Sequence, residues 1–172
     1  MVTHQIIFLS IVVIVAIQRL FELRKSKRHE RLLLAQGGKE HSPAHYKFIV
    51  LMHITWFLSM LFEVFYFKRV FNPIEFKVAF IVMLIGNWIR FESMRTLGTR
   101  WTTRIFTIPG AAPISSGIYQ YLRHPIYVGV ALEIAAVPLL NNAYMTSIIF
   151  SILNLCLMSV RIPAEQRALV LH

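Results

Sequence analysis

The chain has 172 residues, of which 56% are apolar, and its mean hydropathy of +0.59 predicts a single bilayer-embedded domain over residues 1–172 rather than a water-soluble one. Lys and Arg number 18 against 8 Glu. Because these basic residues flank apolar runs, we expect them to meet anionic lipid headgroups, and we expect no nucleic-acid partner. With no Asp and with Cys156 as the single cysteine, the sequence excludes Asp-containing triads and cysteine-based zinc sites, and we predict no metal.

Five apolar stretches follow one another along the chain, at 2–18, 48–67, 74–89, 126–140 and 143–160. About 20 apolar residues cross the hydrocarbon layer, so the second and fifth stretches are the clearest spans. Only Asn141 and Asn142 separate the last two stretches, which predicts a tight helical hairpin over 126–160. We therefore predict an all-α polytopic transmembrane bundle of about five spans.

The distribution of basic residues predicts the orientation of this bundle. Of the 18 Lys and Arg, 15 lie in segments 18–47 and 90–125 and in the tail after residue 160. Five spans would place these three segments on one side of the membrane. By the positive-inside rule that side is cytoplasmic, so we expect the N-terminus outside and the C-terminus in the cytoplasm.

Segment 95–125 connects the third and fourth stretches. It is punctuated by Gly98, Pro109, Gly110, Pro113 and Gly117, so we expect it to be irregular or briefly extended. Trp101 in this segment is expected in the aromatic belt at the membrane interface.

The fourth stretch begins with a polar motif. Pro125 suits the first turn of a helix, and the residue before it, His124, is kept out of the helical region. His124 should then lie at the membrane surface, with Tyr127 one turn inside and Gly129 allowing close packing. The free N–H groups of such a helix start can bind a polar ligand. These residues could equally be interfacial anchors.

A second motif, Arg161 and Glu165, follows the fifth stretch. The two residues are four apart and could share a helix face, although Pro163 between them perturbs a continuous helix. They could equally form a surface ion pair. Because the two stretches form a hairpin, the start of the fourth and the end of the fifth should be neighbours. We therefore expect His124 and Tyr127 to converge on Arg161 and Glu165.

Three ionisable residues interrupt the apolar stretches. Glu133 lies in the middle of the fourth, where a charge is costly and usually functional. It could contact a substrate hydroxyl or act as a base, and it could equally pair with an arginine. His53 and Glu63, in the second stretch, are interpreted as packing or interfacial groups.

The pattern S-G-I-Y-x-Y-x-R-H-P-x-Y-x-G from Ser116, followed by R-I-x-x-E-x-x-x-L from Arg161, resembles the isoprenylcysteine carboxyl methyltransferases over roughly 80–169. The resemblance implies an O-methyltransferase that uses S-adenosylmethionine at the cytoplasmic ends of the last helices. It implies that Arg161 lies near the reacting group of the substrate, and we add Glu133 as a second catalytic candidate. The cofactor contacts implied by position are Pro113, Ile114, Tyr119, His124, Pro125, Ile126, Tyr127 and Glu165.

The resemblance divides the chain into a two-span part, 1–70, and a catalytic part, 74–172, in which 95–127 is the cofactor loop. Gln166 stands where the family often has a second Glu, and this departure bears on the prenylcysteine substrate. Segment 97–104 is similar to compact bacterial methylases of alkylpyrones and alkylresorcinols. The implied acceptor is a lipophilic acid, enol or phenol, methylated at the cytoplasmic face of a bacterial plasma membrane. Membrane sterol reductases, which use NADPH and share R-H-P-x-Y-x-G, and a non-catalytic scaffold are the alternatives.

Overall fold

Five helices and a two-stranded sheet make up the described part of the structure, a computed structural model that describes residues 2–41 and 44–170. The helices are α1 (Val2–Ala35), α2 (Ala44–Tyr66), α3 (Pro73–Leu97), α4 (Pro125–Leu139) and α5 (Tyr144–Val170). Strands β1 (Lys39–His41) and β2 (Ile105–Thr107) pair antiparallel, with Glu40 opposite Phe106. The predicted all-α membrane bundle is confirmed, and the small sheet is an addition to it.

The five helices are not equally suited to crossing a bilayer. Among the described helices, α1, α2 and α5 are long and apolar enough to span it. Helix α4 is apolar but has 15 residues, so it is about 22 Å long against a hydrocarbon layer of about 30 Å. Helix α3 has 25 residues and carries charged side chains near both ends, namely Glu75, Lys77, Arg90, Glu92 and Arg95.

Helices α3 and α4 approach closely at two glycines. A Cβ added to Gly129 would lie 2.7 Å from the carbonyl oxygen of Gly86, and one added to Gly86 would lie 2.9 Å from the carbonyl oxygen of Gly129. Both distances are shorter than real Cβ contacts, so neither position has room for a side chain. The close packing predicted at Gly129 is therefore observed, and it fixes the start of α4 against α3.

The buried carboxylate of Glu63 connects α2 to the start of α5. It accepts hydrogen bonds from the backbone N–H groups of Met145 (3.1 Å) and Thr146 (2.7 Å) and from the guanidinium of Arg69 (2.7 Å). The first N–H groups of a helix have no partner within the helix, and a carboxylate there satisfies them. Glu63 therefore has the packing role expected from the sequence.

A buried ionic cluster joins α1, α3 and α4. Arg90 donates to Glu133 at 2.6 Å and also to Glu22, and Arg19 donates to Glu22 at 2.7 Å and also to Glu133. We call Arg19, Glu22, Arg90 and Glu133 the ionic cluster. Its two guanidinium and two carboxylate groups balance in charge, which is how ionisable side chains are accommodated inside a membrane.

Candidate active site

The start of α4 and the end of α5 meet through a tyrosine hydroxyl. Tyr127 donates a hydrogen bond to the carboxylate of Glu165 at 2.5 Å and accepts one from Nε of Arg161 at 3.0 Å. Helix α5 continues through Pro163, so the perturbation expected there does not break it, and Arg161 and Glu165 project toward the same side. The convergence predicted from the hairpin is therefore observed.

Arg161 also connects α5 to the irregular segment between α3 and α4. Its Nη2 donates to the carbonyl oxygen of Thr103 at 2.6 Å, and its guanidinium carbon lies 5.7 Å from the centre of the Tyr127 ring. The side chain is buried. Three contacts thus fix the orientation of a cation at the rim of the bundle.

His124 lies immediately before α4, with non-helical backbone angles (φ −133°, ψ 60°), as the following proline predicts. Its ring stacks on Tyr127 with a centroid separation of 5.6 Å, and its Nδ1 lies 3.9 Å from the Glu165 carboxylate. Its Nε2 is 3.3 Å from the amide nitrogen of Gln166. His124, Tyr127 and Glu165 therefore form one contiguous surface.

That surface is part of a cavity of about 250 Å³, which we call the polar cavity. Its walls come from segment 97–114, the start of α4, the end of α5 and Leu33 of α1. Glu165 is the only carboxylate that lines it, among four arginines. The predicted cofactor residues that line it are Pro113, Ile114, Tyr119, His124, Ile126, Tyr127 and Glu165. Pro125 is buried at the helix start and does not line it.

Two lining residues have shifted titration behaviour. Burial raises the pKa of the Tyr119 hydroxyl, and the negative charge of Glu165 raises it further, so Tyr119 stays protonated at neutral pH and can donate. The hydrogen bond from Arg104 to Glu40, at 2.6 Å, raises the pKa of the Arg104 guanidinium. Arg104 also lies over the Tyr46 ring, which makes it a paired wall residue.

One side of the polar cavity was missed in the sequence. Trp101, predicted in an interfacial belt, is only 4% exposed, and its carbonyl oxygen lies 2.7 Å from Nδ1 of His29. The belt prediction is therefore wrong. The β2 residues 105–107 also line the cavity, because β2 pairs with β1. The glycines and prolines of this segment indicated irregular backbone but carried no signal for a strand partner more than 60 residues away.

A second cavity, of about 400 Å³, lies among α1, α2, α4 and α5 and is lined mainly by apolar side chains. We call it the apolar cavity. It shares Trp101, Thr102, Ile126, Tyr127 and Arg161 with the polar cavity. Tyr127 and Arg161 therefore stand where the two cavities meet. Glu133 lines neither cavity, and its carboxylate is bound by Arg19 and Arg90.

The fold and the site together define an integral membrane protein whose last two helices enclose a polar cavity next to an apolar one. The chain matches the isoprenylcysteine carboxyl methyltransferase (ICMT) family over residues 78–171, and it belongs to that family. The matched region contains α4, α5 and nearly all residues that line the polar cavity.

Two bacterial relatives align over most of their length. The uncharacterized protein YpbQ of Bacillus subtilis is 35% identical over 162 residues, which cover 94% of this chain and 96% of YpbQ. An uncharacterized protein of Haemophilus influenzae is 24% identical over 152 residues, which cover 88% of each chain. No solved structure gives a significant match.

Proposed function

We propose that the protein is an O-methyltransferase that transfers a methyl group from S-adenosylmethionine to an oxygen of a lipophilic acceptor. One observation carries the proposal: a polar cavity containing a single carboxylate meets an apolar cavity at Tyr127 and Arg161. A methyl transferase with a membrane-dissolved acceptor needs such a pair of chambers, one for a water-soluble donor and one for a lipid. Membership of the isoprenylcysteine carboxyl methyltransferase family supports the same activity.

The groups that line the polar cavity fit this cofactor. The Glu165 carboxylate can accept hydrogen bonds from ribose hydroxyls or from the ammonium group, and Arg123 or Arg100 can pair with the cofactor carboxylate. The apolar side chains of Ile114 and Ile126 offer a surface for the adenine ring. When bound, the cofactor supplies an electrophilic methyl group on a sulfonium, so the protein's task is to position the reactants.

Arg161 is assigned to the acceptor. A guanidinium held beside an acidic enol, phenol or carboxylic acid favours the anionic form, which lowers the pKa of the acceptor and orients its oxygen. Tyr127 and Thr103 fix Arg161 from two sides, so the cation is in place before the acceptor arrives. The apolar cavity would take the hydrocarbon part of the acceptor.

The site is assigned to the cytoplasmic face of a bacterial plasma membrane. Leu33, near the end of α1, and Glu165, near the end of α5, line the same cavity, so these two helix ends lie at one rim. The segments with 15 of the 18 Lys and Arg also belong to that rim, which the positive-inside rule assigns to the cytoplasm. The domain division follows: 74–172 supplies the catalytic residues, and α1 and α2, within 1–70, complete the apolar cavity.

Binding and transfer measurements on the detergent-purified protein test the proposal. Calorimetry should detect S-adenosylhomocysteine binding and no NADPH binding. Labelled methyl should pass to at least one member of a panel of lipophilic acids, enols and phenols. Binding of NADPH without S-adenosylhomocysteine would instead favour a membrane reductase. A scaffold would bind neither, and substitution of His124, Tyr127 and Glu165 would change its stability alone.

A further inference from the structure

Most polar side chains that line the apolar cavity already have partners. Arg19, Glu22 and Arg90 belong to the ionic cluster, and Tyr127 and Arg161 bind each other. The Thr102 hydroxyl donates to the Arg104 carbonyl oxygen at 2.6 Å, and the Thr103 hydroxyl lies 2.9 Å from that of Ser26. These groups keep their hydrogen bonds whether or not the cavity is filled.

Asn154 of α5 is different. It lines the apolar cavity, it is only 1% exposed, and its Oδ1 is buried with no hydrogen-bond partner among the described residues. An amide oxygen that loses water and gains no partner is costly, and more so in an apolar surrounding. A leucine would fill such a place in a membrane helix without this cost. The amide is therefore best explained by a partner that the chain does not itself supply.

Asn154 lies on the same face of α5 as the proposed acceptor-binding residue. Asn154, Met158 and Arg161 are spaced i, i+4 and i+7, and all three line the apolar cavity. Seven residues at 1.5 Å each place Asn154 about 10 Å deeper along the helix than Arg161. A ligand that reaches Arg161 from this cavity therefore passes the Asn154 amide.

A second free acceptor faces the same cavity from α2. Nδ1 of His53 donates to the carbonyl oxygen of Ile49 at 2.8 Å, which leaves Nε2 of the neutral ring as an acceptor. No described residue donates to that Nε2. Both uncommitted atoms, Asn154 Oδ1 and His53 Nε2, accept hydrogen bonds, so the ligand group that they fit is a donor such as a hydroxyl.

We propose that Asn154 determines acceptor specificity by accepting a hydrogen bond from a second hydroxyl on the acceptor, distinct from the oxygen that is methylated. The proposal rests on the proposed function and narrows its acceptor class to lipids whose polar head carries two oxygen functions. His53 is positioned to reinforce this selection. A site built to bind a hydroxyl discriminates strongly against the analogue that lacks it, because its own polar group is then left unpaired.

A matched pair of acceptors tests the proposal. A 5-alkylresorcinol and the 3-alkylphenol with the same chain differ only in the second hydroxyl. The wild-type kcat/KM should favour the resorcinol by at least about 10-fold, beyond the factor of about 2 expected from its two equivalent hydroxyls. In Asn154→Leu this preference should fall at least about 10-fold. Leu155→Ala, which changes a side chain on the outer surface of α5, should keep it.

The same variants give a readout that does not depend on methyl transfer. Trp101 lines the apolar cavity, so tryptophan fluorescence can report the dissociation constants of both lipids. The ratio of these constants should fall in Asn154→Leu even if the protein transfers no methyl group, which separates this proposal from the proposed function. Asn154→Ala replaces Asn154→Leu if the latter does not fold. An unchanged ratio, or an equal loss for both lipids, would overturn the role of Asn154.

Discussion

The hydroxyl of Tyr127 in α4 donates a hydrogen bond of 2.5 Å to the carboxylate of Glu165 in α5. The same oxygen accepts from Arg161, so one tyrosine holds an anion and a cation that are four residues apart on the next helix. Under the proposed function, Glu165 binds the methyl donor and Arg161 binds the acceptor. Tyr127 then sets the distance between the two reactants.

Removal of this hydroxyl should weaken donor binding. Tyr127→Phe deletes one charge-assisted hydrogen bond to Glu165, worth about 1–2 kcal/mol, so the Kd for S-adenosylhomocysteine should rise roughly 5- to 30-fold. Calorimetry measures this change. Tyr121→Phe is the matched control, because the Tyr121 side chain is exposed and should give no change. In a double-mutant cycle with Glu165→Gln, strict additivity would show that the hydrogen bond has no part in binding.

Substitution of Arg161 should separate catalysis from donor binding. Arg161→Ala removes the cation assigned to the acceptor oxygen, so kcat/KM for methyl transfer should fall by at least about 100-fold, or roughly 2.7 kcal/mol. S-adenosylhomocysteine binding should persist within about 10-fold. Arg167→Ala, one exposed arginine further along α5, should leave both quantities near wild type. Wild-type turnover in Arg161→Ala would refute the assignment.

Glu133 was a catalytic candidate in the sequence, and its ion pairs with Arg19 and Arg90 now favour a positioning role. Glu133→Gln leaves two buried guanidinium groups undercompensated, which should cost about 3–5 kcal/mol and lower the melting temperature in detergent. The folded fraction should keep most of its donor affinity, because Glu133 lines neither cavity.

The control for Glu133 is an exposed ion pair in α3. Glu92 binds Arg95 at 2.9 Å at the surface, so Glu92→Gln should cost only about 0–1 kcal/mol. A double variant, Arg19→Gln with Glu133→Gln, removes one charge of each sign and should recover part of the lost stability. An unchanged melting temperature with abolished turnover would instead support a catalytic Glu133.

Gly129 offers a test of helix packing. The added methyl group of Gly129→Ala would meet the backbone oxygen of Gly86, so we expect a loss of about 1–3 kcal/mol as α3 and α4 separate. Thermal unfolding in detergent measures the loss. Val128→Ala, at the neighbouring exposed position, should change the melting temperature little. Equal effects of the two substitutions would contradict the close approach at Gly129.

The sequence by itself determined the features that depend on local chemistry. The length of the apolar stretches, the proline at the start of α4 and the two asparagines between α4 and α5 were sufficient to predict helices and a hairpin. A hairpin has only one way to place its open ends, so the meeting of Tyr127 with Arg161 and Glu165 also followed. The full spanning of α3 and α4 did not follow, because their charges and short length leave it to the packing of neighbours.

Only the tertiary structure decided the features that depend on contacts between distant segments. Trp101 became a wall of both cavities because β2 pairs with β1 and His29 of α1 approaches the Trp101 carbonyl. Glu133 found its partners on α1 and α3, and the unpaired Asn154 amide is defined by what surrounds it. Hydrophobic periodicity specifies which face of a helix is buried, but not which polar group on another helix will lie opposite, since that depends on how the helices pack.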